Sequence, residues 1–187
     1  MNRCASSLIA LASLFTLAGH AATPLSQSKG TAMYWTQEFE HVLPLLGHRN
    51  WILVVDKAYP YQSAPGITYL DTKAQLPDVL SRVIADIQTS THVKPIFYTD
   101  QELGFLSEDL VPGVDAFRTE LKKRLEGSDP KTMLHESVFK KLDDASKLFN
   151  VIVLKTECTI PYSSVFIELD CAYWSAEKEK ALRAKMK

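Results

Sequence analysis

A run of five apolar residues, from Trp51 to Val55, constrains the fold of this chain more than any other feature. No polar residue interrupts the run, which is typical of a strand covered on both faces in an α/β sheet. Gly47 before it offers a helix stop, and Pro60 after it turns the chain away. His48 and Asp56 therefore flank one rigid strand, and Asp56 falls at the carboxyl end, where open α/β sheets usually bind ligands.

Strand-like and helix-like patterns alternate along the rest of the chain. The clearest amphipathic helix has apolar residues at i, i+3, i+4, i+7, i+8 and i+11, namely Leu76, Val79, Leu80, Val83, Ile84 and Ile87. Further strands are predicted at 67–70, 93–99, 151–154 and 165–169, and the alternation of the last predicts a half-exposed strand. This order predicts a single α/β domain with helices on both faces of the sheet.

Length, composition and charge narrow the class of protein. A chain of 187 residues fits one domain with a substantial core, and 46% hydrophobic with 23% charged residues is typical of a globular protein. The formal net charge is −1, and no stripe of Lys and Arg precedes the C-terminal tail. We therefore expect no nucleic-acid partner.

The N-terminus has the pattern of an export signal. Arg3 supplies a positive charge, residues 5–18 are small and apolar, and Gly19 to Ala22 provide a small-residue cleavage site. We expect a signal peptide at 1–22, a flexible leader at 23–32 and a periplasmic or secreted protein. The alternative is a retained anchor, but the apolar run is shorter than the ~20 residues that span a bilayer. No later stretch is suited to crossing one, so no membrane contact is expected after cleavage.

Two cysteines remain beyond this segment, Cys158 and Cys171. A strand of about eight residues between them would separate its ends by ~26 Å, whereas a disulfide needs Cα atoms within ~7 Å. The sequence therefore predicts two separate thiols.

General catalytic and metal-binding motifs are absent from the sequence. It has no Gly-rich phosphate loop, CxxC, HExxH or GxSxG pattern, and its histidines lack metal-binding spacing. We expect neither a metal nor a cofactor.

Two distant stretches together resemble the D-ribose pyranase and L-fucose mutarotase family. The first is Gly47-His48 followed by an apolar strand, Asp56 and Pro60, and the second is TECTIPYSS at 156–164. The family patterns read roughly GH-x-D-x-I-x-x-x-D-x-x-x-P and T-G-E-x-x-P-Y-A-N. The resemblance covers about residues 33–169. It implies a three-layer α/β/α domain at 33–172 with a mostly parallel central sheet. Beyond it, Ser175 can cap a charged helix, which predicts a C-terminal helical extension at 173–187.

The resemblance also implies a function for five residues. His48 matches the general acid/base histidine, Asp56 the sugar-binding aspartate, His135 a second substrate-contacting histidine and Tyr162 the tyrosine of the closing motif. Ser164 stands where the family has asparagine. Such an isomerase interconverts ring forms or anomers of a small monosaccharide without metal or cofactor, as a homo-oligomer with sites near subunit contacts.

The chemistry of ring opening suits these residue types, but two alternatives stay open. A histidine that titrates near neutral pH can move a proton to or from a hemiacetal, while a carboxylate and a phenol hold hydroxyls. Ser164 is shorter than asparagine, and Glu157 and Cys158 stand where the family has Gly and Glu. These departures leave room for a non-catalytic carbohydrate-binding or accessory protein. The third possibility is a structural subunit in which His48 and Asp56 only satisfy each other.

Overall fold

The computed structural model describes residues 34–186, in which six strands form one mixed sheet and five helices flank or follow it. The predicted signal peptide and leader lie outside these residues. The strands are β1 Trp51–Val55, β2 Ile67–Asp71, β3 Val93–Asp100, β4 Lys131–Met133, β5 Val151–Lys155 and β6 Val165–Cys171. The helices are α1 Tyr34–Val42, α2 Leu76–Thr89, α3 Val114–Arg124, α4 His135–Ala145 and α5 Ala176–Lys185, with short 3₁₀ turns at Leu43–Leu45 and Gln101–Phe105.

The sheet has the strand order β2-β5-β1-β6-β3-β4. β1 pairs in parallel with β5, β5 with β2 and β3 with β4, whereas β6 is antiparallel to both of its neighbours. Five strands therefore run in one direction, and the predicted mostly parallel sheet is confirmed. β1 lies between β5 and β6, which is why all five of its residues are buried and apolar.

Helices cover both faces of this sheet, as the predicted three-layer architecture requires. Ile52 and Val54 point to the face packed by α1, α2 and α3. Leu53 and Val55 point to the opposite face, where Val138 of α4 packs. The two hydrophobic cores thus arise from alternate residues of the same strand. α5 has no buried residue and contributes little to either core.

Two strands differ from their sequence predictions. The half-exposed strand predicted at 165–169 is wrong, because β6 is inserted between β1 and β3 and its first three residues are buried. The polar exception, Glu168, accepts a hydrogen bond from Tyr98 and pairs with Lys141. The short strand β4 was not predicted at all. It pairs with only the last three residues of β3. Pro95 therefore lies where β6 is the one neighbouring strand of β3, and the missing backbone N–H of the proline leaves no second strand without a hydrogen bond.

Cys158 and Cys171 are both free thiols in this fold. Cys158 is buried in the turn before β6, with its Sγ 3.4 Å from Ser163 Oγ, and Cys171 ends that strand. Among residues 34–186, no helix combines the length and apolar character needed to cross a membrane.

Candidate active site

A cavity of about 560 Å³ opens at the carboxyl end of β1. Its walls are the segment 56–60 after β1, His135 and Phe139 of α4, and the turn 159–162. This turn reaches the same edge because β5 is parallel to β1 and β6 runs back antiparallel from it. The volume falls in the range of ~300 to ~1,000 Å³ that is typical of small-molecule sites.

Asp56 is the carboxylate of this cavity, and its position is fixed by the chain around it. Its Oδ1 accepts the backbone N–H of Ala58 at 2.8 Å, and its Oδ2 accepts the hydroxyl of Ser164 at 3.0 Å. Ser164 Oγ in turn accepts the backbone N–H of Asp56 at 3.3 Å. Ser164 is 1% exposed, so it acts on the cavity through Asp56. Ser164, although shorter than the asparagine of the family pattern, thus holds the Asp56 carboxylate in place.

Two aromatic side chains contact His135, and a third packs on one of them. The Phe139 ring lies 4.7 Å from the imidazole, and the Tyr162 ring meets it edge-on at 5.2 Å. Tyr59 stacks on Phe139 with ring centroids 5.4 Å apart. Tyr162 has a left-handed backbone with φ of 57°, a conformation that a regular strand does not adopt. At this turn its side chain lines the cavity. Apolar ring faces beside a few fixed polar groups suit a ligand that carries both C–H faces and hydroxyls.

Asp100 and Glu102 are two site residues that the sequence analysis missed. Asp100 ends β3 with its side chain 0% exposed, and its Oδ2 lies 3.1 Å from His135 Nδ1. Glu102, in the following 3₁₀ turn, accepts the backbone N–H of His135 with both carboxylate oxygens at 3.1 Å. The available signal was the one used for Asp56, namely a carboxylate that directly follows a buried strand.

The buried carboxyl group of Asp100 makes folding stability depend on pH. Burial raises the pKa of Asp100 to about 6, with His135 opposing the rise and Glu102 and Asp56 adding to it. The folded state therefore holds this proton more tightly than the unfolded chain, and stability is lost as pH rises from about 4 to about 6. Asp100→Asn cannot ionise. Its free energy of unfolding, relative to the original protein, should increase over this window by on the order of 1 kcal/mol.

Urea unfolding at pH 4 and pH 7 measures this difference, and Asp71→Asn serves as the matched control. At Asp71 the effect of burial is outweighed by Lys73, which lowers the pKa of that carboxyl group. Stability from Asp71 is therefore present at neutral pH and lost on acidification, so its variant should change in the opposite direction. Equal pH dependence in both variants would contradict a raised pKa of Asp100.

His48 does not reach this cavity within its own chain. It is exposed just before β1, whereas Asp56 follows β1, and the five residues of the strand separate these ends by about 16 Å. The His48 imidazole and the Asp56 carboxylate therefore do not bond to each other within one chain. This excludes a structural subunit in which the two residues serve only as each other's partner. Of the predicted site residues, the chain brings together Asp56, His135, Tyr162 and, beneath them, Ser164.

The altered turn before β6 is accommodated by local contacts. Glu157 forms an ion pair of 2.6 Å with Lys57 at the rim of the cavity. The backbone N–H of Cys158 and the carbonyl oxygen of Val55 both bond to the hydroxyl of Thr156. The turn therefore closes against the end of β1 although Glu157 and Cys158 depart from the family pattern.

A larger cavity of about 730 Å³ lies between α3 and the 99–104 segment. Arg118, one of the three cations that line it, already donates to the carbonyl oxygens of Leu103 and Leu106 and pairs with Asp115. We assign the site to the smaller cavity, because acid/base groups converge there.

No cluster of three His, Cys, Asp or Glu residues suited to a metal ion occurs in the 34–186 range.

No protein-family model matches the sequence, and no curated protein sequence matches it either. The fold is similar to that of Bacillus subtilis RbsD complexed with D-ribose, with a TM-score of 0.52 and 17% identity over 71% of this chain and 91% of that one. The fucose mutarotase of Streptococcus pneumoniae complexed with L-fucose aligns with a TM-score of 0.49 and 19% identity over 71% and 91%. The described domain therefore has the RbsD-like α/β fold.

Proposed function

We propose that this protein is a monosaccharide mutarotase or pyranase, an isomerase that interconverts ring forms or anomers by histidine-mediated proton transfer. The observation that carries the proposal is the convergence of the His135 imidazole, the Asp56 carboxylate and the Tyr162 ring on one cavity. The fold shared with a ribose-bound protein supports a small sugar as the ligand. The reaction needs neither a metal nor a cofactor.

The residues of the cavity suit the two proton movements of ring opening. The anomeric hydroxyl must lose a proton while the ring oxygen gains one, and reclosure reverses both transfers. Asp56 would accept a sugar hydroxyl, and the hydroxyl of Tyr162, which makes no hydrogen bond to the rest of residues 34–186, would orient another. Because sugars mutarotate unaided, acid/base catalysis of ~10² to ~10⁴-fold suffices.

His48 would complete the site from a neighbouring copy of the chain. It is exposed at the opposite end of β1 and makes no hydrogen bond to other described residues, so its imidazole is available to another subunit. A homo-oligomer that brings one subunit's His48 to the next subunit's Asp56 would supply the second acid/base group. We further propose that the segment 1–22 exports the protein to the periplasm or beyond.

Saturation-transfer NMR on a panel of pentoses and hexoses tests the catalytic proposal. With the protein that lacks the predicted signal peptide, we expect faster exchange between the ring forms or anomers of at least one sugar. The acceleration should fall by ~10²-fold or more in Asp56→Asn and persist in the control Asp170→Asn, which changes a carboxylate at the far end of β6. Unaccelerated exchange for every sugar would overturn catalysis.

A carbohydrate-binding or accessory protein without catalysis is the alternative. It is favoured by Ser164, since both oxygens of Asp56 already have partners in the chain and no amide replaces the lost asparagine. This alternative predicts that a sugar raises the thermal unfolding temperature without accelerating its ring exchange. An exchange activity that disappears in His48→Ala would exclude it.

A further inference from the structure

Asp100 contacts the site histidine from the side that faces the protein interior. Its side chain is completely buried, its Oδ2 lies 3.1 Å from His135 Nδ1, and its Oδ1 has no hydrogen-bond partner among residues 34–186. A buried carboxylate with an unpaired oxygen is costly, and folded proteins rarely keep one without a compensating use. The contact with His135 is therefore the one polar interaction of the Asp100 side chain in the described part of the fold.

The main chain of His135 is held independently of its ring. Both carboxylate oxygens of Glu102 accept the backbone N–H of His135, at the first residue of α4. Phe139 and Tyr162 pack against the imidazole from two directions. Since the backbone and the packed ring are both fixed, the Asp100 contact decides which nitrogen faces inward. It leaves Nε2, on the opposite side of the ring, for the cavity.

We propose that Asp100 is the positioning residue that makes His135 an acid/base group of the cavity, beyond a simple contact to the sugar. The Asp100 carboxylate accepts Nδ1–H, so that Nε2 of the neutral imidazole presents its lone pair to the ligand. The same carboxylate stabilises the imidazolium that forms when Nε2 takes a proton. This inference rests on the proposed function and adds to it a role for two residues on β3 and α4.

The proton movements balance in this arrangement. His135 Nε2 takes the proton of the anomeric hydroxyl, whose electrons form the C1=O double bond as the bond between C1 and the ring oxygen breaks. The ring oxygen receives a proton from a second acid, which we assign to His48 of a neighbouring copy. Reclosure on either face of the carbonyl returns both protons, so no oxidant, reductant or other reactant is consumed.

The charged groups around Asp100 fit this role. Burial raises its pKa to about 6, while His135 on α4 pulls it back, and Glu102 in the 3₁₀ turn and Asp56 after β1 raise it. The carboxyl group is therefore still largely ionised at neutral pH. It accepts Nδ1–H and stabilises the imidazolium without itself taking the proton.

Nitrogen-15 NMR of the histidine rings tests the pairing without any activity. In the unaltered protein at neutral pH, neutral His135 should carry its hydrogen on Nδ1. In Asp100→Asn the side-chain amide can donate to Nδ1, so the hydrogen should move to Nε2, as it does when asparagine replaces the aspartate of a Ser-His-Asp triad. An unaltered protein with its hydrogen on Nε2 would overturn the proposal, whether or not any variant folds.

Exchange kinetics of the full chain test the catalytic part. We expect Asp100→Asn to lower kcat about 10²-fold or more with a small change in KM, and to alter the pH profile of kcat on its acidic side. Asp170→Asn is the control. An Asp100→Asn protein with normal kcat and an unchanged pH profile would overturn the catalytic part. If the unaltered protein accelerates no sugar, that result counts against the proposed function, and the ring tautomer still decides the Asp100 pairing.

Discussion

Co-expression of two inactive variants, His48→Ala and Asp56→Asn, should restore about a quarter of the original exchange activity. Each variant alone is expected to lose ~10²-fold or more, because one lacks the proposed proton donor and the other the sugar-binding carboxylate. If His48 of one subunit serves the Asp56 cavity of the next, random mixing leaves roughly one site in four with both groups intact. The measurement is the saturation-transfer rate per chain, with the purified single variants measured in parallel.

Co-purification of the two single variants through a tag on only one of them shows that subunits mix, and a matched control calibrates the activity. The double variant, with both changes in one chain, is co-expressed with the unaltered protein, and the same counting again leaves roughly a quarter of the sites intact. If the co-purifying single variants recover no activity and this control retains about half of the sites, both groups must come from one chain. That result would contradict the shared site and, given the position of His48 across β1, the assignment of His48 itself.

Gly66→Ala should destabilise the fold more than any surface change in this chain. A Cβ at residue 66 would lie 2.8 Å from the carbonyl oxygen of Phe149 and overlap that of Ser146, which are backbone atoms of the segment after α4. The chain cannot move away freely, because the carbonyl oxygen of Gly66 accepts the N–H of Val151 at the start of β5. We expect a loss of about 3 kcal/mol or more, seen as a lower urea midpoint.

Gly104→Ala provides the control for the Gly66 prediction. No atom lies within 4 Å of a Cβ built at Gly104, so the substitution meets open space. Its effect on the free energy of unfolding should stay within about 0.5 kcal/mol. Similar losses in both variants would show that the Gly66 contact is relieved by a backbone shift, and that the close approach of the two segments is not required.

The parts of the fold that the sequence predicted are those where one physical pattern decides the structure. β1 and β5 are buried on both faces and therefore read as unbroken apolar runs. α2 buries one stripe of its surface, so its apolar residues recur at helical spacing. In each case burial requires apolar residues at particular positions, and the spacing of those residues predicts the type of element.

Other features depend on contacts between distant segments, and no local sequence pattern predicts them. The sequence pattern predicts that the helix carrying Phe139 and Leu142 continues to Leu148, but α4 ends at Ala145 and Leu148 is 81% exposed. The burial of β6 follows from its insertion between β1 and β3, which pairing alone determines.

The candidate site was likewise only partly predictable. Asp56, His135, Tyr162 and Ser164 were assigned by resemblance, and all four lie at one edge of the sheet. Asp100 follows a predicted strand as Asp56 does, but it lies outside both stretches that carry the resemblance, and its contact with His135 is made only in the fold.

The most direct test of a sugar held between two copies is a titration of the histidine-labelled protein with the sugar whose exchange is accelerated. Ring signals of His48 and His135 should shift together with one dissociation constant, because the same molecule contacts both. His41, exposed on α1, should remain unchanged. If saturating sugar moves neither ring, or moves His135 while His48 stays fixed, the shared proton-transfer site described above does not exist.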